Sequence, residues 1–183
     1  LFNKSLIKFL WISIIIFLSL FLTFLFFQFT IDDAYITFRH SLNLINEGTL
    51  SWNLTGVREE AFTNPLFVIL GSIGIKLQLK PELPIKIISL FIFFFWVRRL
   101  IQISKKEKYI NKYIISSIFL IFIPTYIHAY AGLETLLFSY LFFEFLNSDG
   151  IGYPKDLSIA LLMMLCRPEG GLFILLGIIA RIL

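Results

Sequence analysis

The chain has 183 residues, 58% of them hydrophobic and 15% charged, with a net charge of +4. A soluble domain carries about 25% charged residues and leaves much of its surface in water, so this composition argues against a water-soluble fold and for lipid as the solvent. Phe is abundant, at 22 residues, and no strand-like period of two is evident, which argues against an outer-membrane barrel and implies helices.

Phe9 to Phe29 is a run of 21 residues without a charge. At 1.5 Å per residue it spans a hydrocarbon core of about 30 Å. Lys4 and Lys8 precede it, which puts the N-terminus in the cytoplasm. The run is too long for the apolar region of a cleaved signal peptide, and no small-x-small site follows. Residues 31–84 then form a long first extracytoplasmic loop. Asp32 or Asp33 is suited to cap a helix there. Tyr35, Phe38, Leu42 and Ile45 follow at spacings of three, four and three and share one helical face, as in an amphipathic helix lying at the membrane surface. Glu47-Gly48 ends that helix, and Ser51 to Gly56 reads as a turn. Pro65 to Leu79, with Gly71, Gly74 and Lys76 inside it, reads as an interfacial or re-entrant helix.

Ile85 to Ile103 is the second predicted crossing. It runs into residues 98–112, where Arg98, Arg99, Lys105, Lys106, Lys108 and Lys112 stand against Glu107, a net +5. Residues 31–84 hold four basic and six acidic residues, a net −2. Such asymmetry orients a membrane protein with the basic loop inside, and it does not call for nucleic acid. Tyr113 to Tyr130 is the third predicted crossing, with Pro124 as a kink. Gly132 and Glu134 mark an outer turn, Thr135 to Leu146 begins a fourth crossing, and Asn147 to Asp156 is a polar inner loop. Leu157 to Cys166 is interrupted by Arg167-Pro168-Glu169-Gly170-Gly171 and resumes from Leu172 to Ala180, as two short passes or one broken helix. The expectation is an all-α membrane protein: a polytopic helical bundle of about five to six membrane segments, with a long first extracytoplasmic loop carrying interfacial helices. Cys166, the single cysteine, forms no intrachain disulfide and reads as a small buried side chain. The chain starts at Leu1 and stops at Leu183 inside an apolar segment, as a fragment or a truncated reading frame would.

Two carboxylates, Asp32 and Asp33, stand at the outer mouth of the first helix. One satisfies a cap and a favourable charge at the positive helix end; the second is left for other work. Arg39 lies seven residues after Asp32, two turns along one face, and helical side chains lean toward the N-terminus. A carboxylate beside a cation suits base catalysis on a sugar hydroxyl, or the holding of an anionic lipid phosphate. Arg167 and Glu169 interrupt an apolar segment, where ionisable groups are costly and broken helices mark binding sites; a mutual ion pair at an outer turn is the simpler reading. His128 and Glu134 flank the outer end of the third crossing. With His40 as the one other histidine, a zinc site has no support. The carboxylates could hold Mg²⁺ or Mn²⁺, although no cofactor is required by their spacing. Tyr35, Trp52 and Trp96 fit an aromatic interfacial belt, with stacking on a sugar ring as the other use of Trp52. Asn53-Leu54-Thr55 matches a glycosylation sequon. No Gly-rich phosphate cradle or Walker motif is present, so a cytosolic nucleotide-sugar site is not indicated.

Asp32-Asp33-Ala34-Tyr35-Ile36-Thr37-Phe38-Arg39, directly after a first apolar helix, resembles GT-C-type glycosyltransferases, most of all bacterial arabinofuranosyltransferase-like members. Trp52-Asn53, Glu60 with Thr63-Asn64-Pro65-Leu66, Gly132-Leu133-Glu134-Thr135 and Arg167-Pro168-Glu169-Gly170 match further blocks in order. The likeness covers nearly all of the chain but only the N-terminal portion of a typical member. It implies that residues 1–183 are the N-terminal part of one GT-C-type module of the cell envelope, set in the inner (plasma) membrane with its site on the extracytoplasmic face. The donor would be a polyprenyl-phosphate sugar, and the acceptor a glycan, lipid-linked glycan or protein hydroxyl. Asp32 or Asp33 would be the general base, and Arg39 and Arg167 would hold the donor phosphate. Glu134, Glu169 and Asn64 would shape the site. Two other classes fit the residues: a transporter or flippase for a lipid-linked or anionic solute, and an inactive, truncated membrane scaffold.

Overall fold

Apolar runs set the helices of this chain, and Pro and Gly set where they stop. The computed structural model describes residues 4–55, 59, 61–104, 112–148 and 154–182, and among these it contains nine α-helices and no strand. The two longest are α1 (Lys4–Phe26) and α4 (Glu82–Ser104). Between them lie α2 (Asp32–Glu47) and α3 (Pro65–Lys76). After them come α5 (Lys112–Ile121), α6 (Ile123–Tyr130), α7 (Thr135–Leu146), α8 (Pro154–Cys166) and α9 (Gly170–Ile182). Gly56, Arg58, Glu60, Lys105, Lys106, Glu107 and Lys108 lie outside the described residues. The described residues form an all-helical structure, as the composition implies. Among the described residues no single helix is long and apolar enough to cross a membrane; α6 and α7 pass on length and composition only as a pair, bent by 109°.

Local geometry corrects several details of the sequence reading. Ile31, not an aspartate, is the N-cap of α2, in extended conformation (φ −80°, ψ 153°), and no side chain caps the helix. Asp32 and Asp33 occupy its first turn as anions at the positive helix end. The apolar stripe of α2 is turned outward except at Phe38, the facing that a helix lying at a membrane surface calls for. Of Tyr35, Phe38, Leu42 and Ile45, only Phe38 is buried, whereas Thr37, His40, Ser41 and Asn43 face inward. The reason is α3, which lies so close that a Cβ on Gly71 would come within 2.6 Å of Ser41 Oγ. Only small or well-bonded polar groups fit there, and the Ser41 hydroxyl lies 3.0 Å from Thr37 O and 2.8 Å from Val68 O.

Pro124 does more than kink the third apolar run. Phe122 is extended (φ −77°, ψ 103°) and Pro124 sits in the first turn of α6, so the run is two helices. The segment after Leu157 is likewise two helices, with Arg167 to Glu169 as the turn between α8 and α9. At the α6–α7 corner Gly132 has φ +82°, and a Cβ there would lie 3.0 Å from Ala34 Cβ. This corner therefore needs glycine for both conformation and space.

Two cores hold the helices. Phe38, Phe67, Ile85, Phe138, Phe145 and Met163 join α2, α3, α4, α7 and α8. Ile92, Tyr126, Tyr130 and Leu136, packed against Leu22 and Phe26, join α1, α4, α6 and α7. Outside these cores, large apolar side chains stand free: Phe24 is 78% exposed and Leu157 73%. One end of the bundle gathers the carboxy end of α1 and the amino ends of α2, α4 and α7, where Ile31 N–H donates to Ala131 O (3.0 Å) and Lys86 Nζ to Phe27 O (2.8 Å). The carboxy end of α8 joins them through Arg167.

Candidate functional site

At that end lies an open cavity of about 290 Å³, lined by Asp33, Ile36, Thr37, Ala61, Phe62, Thr63, Asn64, Leu133, Glu134 and Arg167. These residues come from four places in the chain: the first two turns of α2, the segment leading into α3, the α6–α7 corner, and the turn after α8. A chain of hydrogen bonds ties them together. The Thr37 hydroxyl donates to Asn64 Oδ1 (2.9 Å), and Asn64 Nδ2 donates to Glu134 Oε2 (2.8 Å). Arg167 Nε donates to Glu134 Oε1 (2.8 Å), and Arg167 Nη2 to Thr135 Oγ1 (3.3 Å).

Each link has a local cause. Asn64 stands at the N-cap of α3, a position asparagine favours, yet its side chain makes no cap bond and is committed to the network. Pro65 follows, and its missing N–H leaves one donor fewer to satisfy. Glu134 is 6% exposed, and both its oxygens are engaged. A buried carboxylate needs such pairing, because an unpartnered charge in a low-dielectric setting costs several kcal/mol. Arg167 is only partly covered, its side chain 38% exposed, and its guanidinium lies 5.8 Å from the Phe138 ring centroid. A guanidinium has five N–H donors; two are engaged, by Glu134 and Thr135, so the remainder are available to a ligand.

The sequence candidates separate accordingly. Asp33, Asn64, Glu134 and Arg167 share the cavity; Asp32, Arg39 and Glu169 do not line it. Asp32 is exposed one position away on the helix. Arg39 does not lean toward the carboxylates. Its Nε donates to Trp52 O (3.4 Å) and its guanidinium lies 5.0 Å over the Trp52 ring. Glu169 is exposed, and its backbone carbonyl accepts the N–H groups of Leu172 and Phe173 at the start of α9. No ion pair joins it to Arg167; the partner of Arg167 is Glu134. Among the described residues no group of three or more His, Cys, Asp or Glu is placed to hold a metal.

Sequence reading missed the residue that fixes the cavity's outer wall, His40. Fully buried, it lies with Nδ1 2.6 Å from Leu50 O, while Nε2 accepts the Ala61 N–H (3.3 Å). That assignment makes it the Nδ1–H tautomer, clasping both ends of the segment between α2 and α3. Asn43 assists by donating to Ser51 O (2.7 Å). The polar spacing Thr37, His40, Ser41 was the available signal for a second, buried face on α2. No family model matches the chain, and no curated protein or solved structure does either.

Proposed function

We propose that this cavity is the reaction centre of a membrane glycosyltransferase that takes a polyprenyl-phosphate sugar as donor. The observation that carries the reading is the convergence of Asp33, Asn64, Glu134 and Arg167, four separate sequence blocks, on one cavity. In this reading α1, α4 and the apolar helices after them sit in lipid. The free apolar side chains on the outer faces of the bundle support that placement, since about 25 cal/mol per Å² favours removing such surface from water. The outward apolar face of α2 (Tyr35, Leu42, Ile45) then rests at the membrane surface. The basic stretch 98–112 and the N-terminus face the cytoplasm, and the cavity faces the extracytoplasmic side of the plasma membrane.

Asp33 is the general base. It is exposed, lines the cavity and has no hydrogen bond or ion pair with any described residue, so its oxygens are open to an acceptor hydroxyl. The hydroxyl oxygen attacks the anomeric carbon, its proton passes to Asp33, and the bond from that carbon to the phosphate oxygen breaks. The electron pair leaves on the lipid phosphate, where the free N–H groups of Arg167 meet the growing charge. Glu134 and Asn64 hold the guanidinium in place, which limits the reorganisation needed as charge develops. Acceptors of this chemistry are glycan, lipid-linked glycan or protein hydroxyls.

The test uses membranes containing the chain, and the longest reading frame that includes it, with a labelled panel of polyprenyl-phosphate sugars. Asp33→Asn is expected to lower transfer at least ~100-fold with insertion intact, and Asp32→Asn to leave it within a few-fold. Equal transfer by both variants, or no transfer from any donor, overturns the assignment.

A further inference from the structure

Lys86 is the one buried cation among the described residues, 3% exposed. Its ammonium donates to Phe27 O (2.8 Å) and Thr30 Oγ1 (2.9 Å) and lies 5.8 Å from the Phe27 ring centroid. Both oxygen partners are neutral, and no described carboxylate lies within ion-pair distance of it. An ammonium has three N–H donors, so one is left over. A buried charge that no carboxylate contacts directly is expensive; Glu82, on the wall of the adjoining cavity, offsets part of it, and an anion would complete its neutralisation.

A second cavity, of about 440 Å³, opens beside it. Gln28, Thr30, Tyr35, Lys80, Glu82 and Lys86 contribute its polar lining, and it shares no lining residue with the Asp33 cavity. We propose that this cavity is a binding site for a singly charged phosphate, with Lys86 as its fixed cation and Lys80 as its closing one. A phosphate offers several acceptor oxygens, and the lining offers donors on several sides: the two ammonium groups, the Gln28 amide, and the Thr30 and Tyr35 hydroxyls. Glu82 sets the charge. Lys80 and Lys86 against Glu82 leave one net positive charge, which matches a monoanion such as a phosphodiester and disfavours a dianion. Exposed Phe24 and Phe29 at the same end of α1 offer apolar surface for the chains of a lipid that carries such a headgroup. The site stands independently of the glycosyl-transfer reading, because it uses different residues in a different cavity.

The purified chain in nanodiscs tests this. One set holds phosphatidylcholine alone, one an equimolar mixture with phosphatidylglycerol, and one phosphatidylcholine with added inorganic phosphate. Thermal unfolding and the lipid retained on the protein by native mass spectrometry are the readouts. Lys86→Met removes the fixed charge but also a contact that holds the end of α1. Lys80→Glu, at an exposed position, leaves that contact intact and decides the matter if Lys86→Met does not fold. The expected result is preferential retention of phosphatidylglycerol and a higher unfolding temperature, with affinity about tenfold weaker in Lys80→Glu. Stabilisation by inorganic phosphate alone, again lost in Lys80→Glu, supports the site with free phosphate as its ligand. Failure of both probes to stabilise the wild type, or equal binding of either by Lys80→Glu, overturns the proposal.

Discussion

Glu134 is the side chain on which the cavity's order depends, because it joins an amide from one segment to a guanidinium from another. Glu134→Ala removes the partner of both, leaving Asn64 Nδ2 and Arg167 Nε unpaired. The Arg167 side chain is 38% exposed, so water recovers part of that loss. The expected cost is about 1–3 kcal/mol in unfolding free energy, read from chemical denaturation in detergent; a variant as stable as the wild type would deny the network its structural role. Arg167 and Arg39 give the sharper contrast. Arg167→Lys keeps the charge and loses the fork that meets both Glu134 and a ligand, so donor kcat/KM is expected to fall about tenfold or more. Arg39→Ala is expected to leave donor kcat/KM within about twofold, because Arg39 serves Trp52 outside the cavity. The reverse pattern would move the phosphate contact back to Arg39. Asp33, Asn64, Glu134 and Arg167 could be named from sequence because each stands in a distinctive short block. Their pairing could not, since contacts between residues 64, 134 and 167 depend on how three separate turns meet. The position of Arg39 was not legible for a related reason: helical spacing placed it near Asp32, but the loop carrying Trp52 folds back against it.

The pairing of α2 with α3 positions the upper wall of the cavity, and it depends on one small residue. A Cβ on Gly71 would meet Ser41 Oγ at 2.6 Å and Ser41 Cβ at 3.2 Å. Gly71→Ala is therefore expected to push the helices apart and to lower stability by about 1–3 kcal/mol, despite the higher helix propensity of alanine. Thermal unfolding of Gly71→Ala against Gly171→Ala, where a Cβ meets nothing within 4 Å, checks this; equal stability of the two would show that the contact relaxes freely. The helix boundaries were largely legible, because caps and breakers are local: Gly48 (φ +66°) ends α2, Pro65 begins α3, and Thr135 to Leu146 matches α7. The outward apolar stripe of Tyr35, Leu42 and Ile45 was legible in its spacing, whereas the buried polar face of Thr37, His40 and Ser41 was not, because it depends on how closely α3 packs. Lys86 was hidden in the same way, as the second residue of an apolar run whose partners, Phe27 and Thr30, lie more than fifty residues earlier.

The bundle has two chemically distinct ends. One carries the Asp33 cavity and the Lys86 cavity. The other carries Glu144, 7% exposed on the last turns of α7, with Arg99 Nε at 2.8 Å and Lys155 Nζ at 3.6 Å. The Arg99 and Glu144 atoms are close but not aligned for a hydrogen bond, so the contact is ionic. Arg99 near the end of α4 and Lys155 at the start of α8 give this end its positive character among the described residues. If the bundle spans a membrane, the basic end stays in the cytoplasm, since lysine and arginine near helix ends resist translocation. The Asp33 cavity then opens outside, the side on which the proposed reaction would meet a flipped lipid-linked donor. Single cysteines in a Cys166→Ala background separate the two compartments, with Thr55→Cys exposed on the loop near the cavity and Asn147→Cys exposed at the opposite end of α7. An impermeant maleimide is expected to label Thr55→Cys in right-side-out vesicles and Asn147→Cys only in inverted ones. Labelling of both from one side would mean that the two ends share a compartment. The bundle would then lie on the membrane or apart from it, and the exposed faces of α1 and α4 would need a protein partner rather than lipid to cover them.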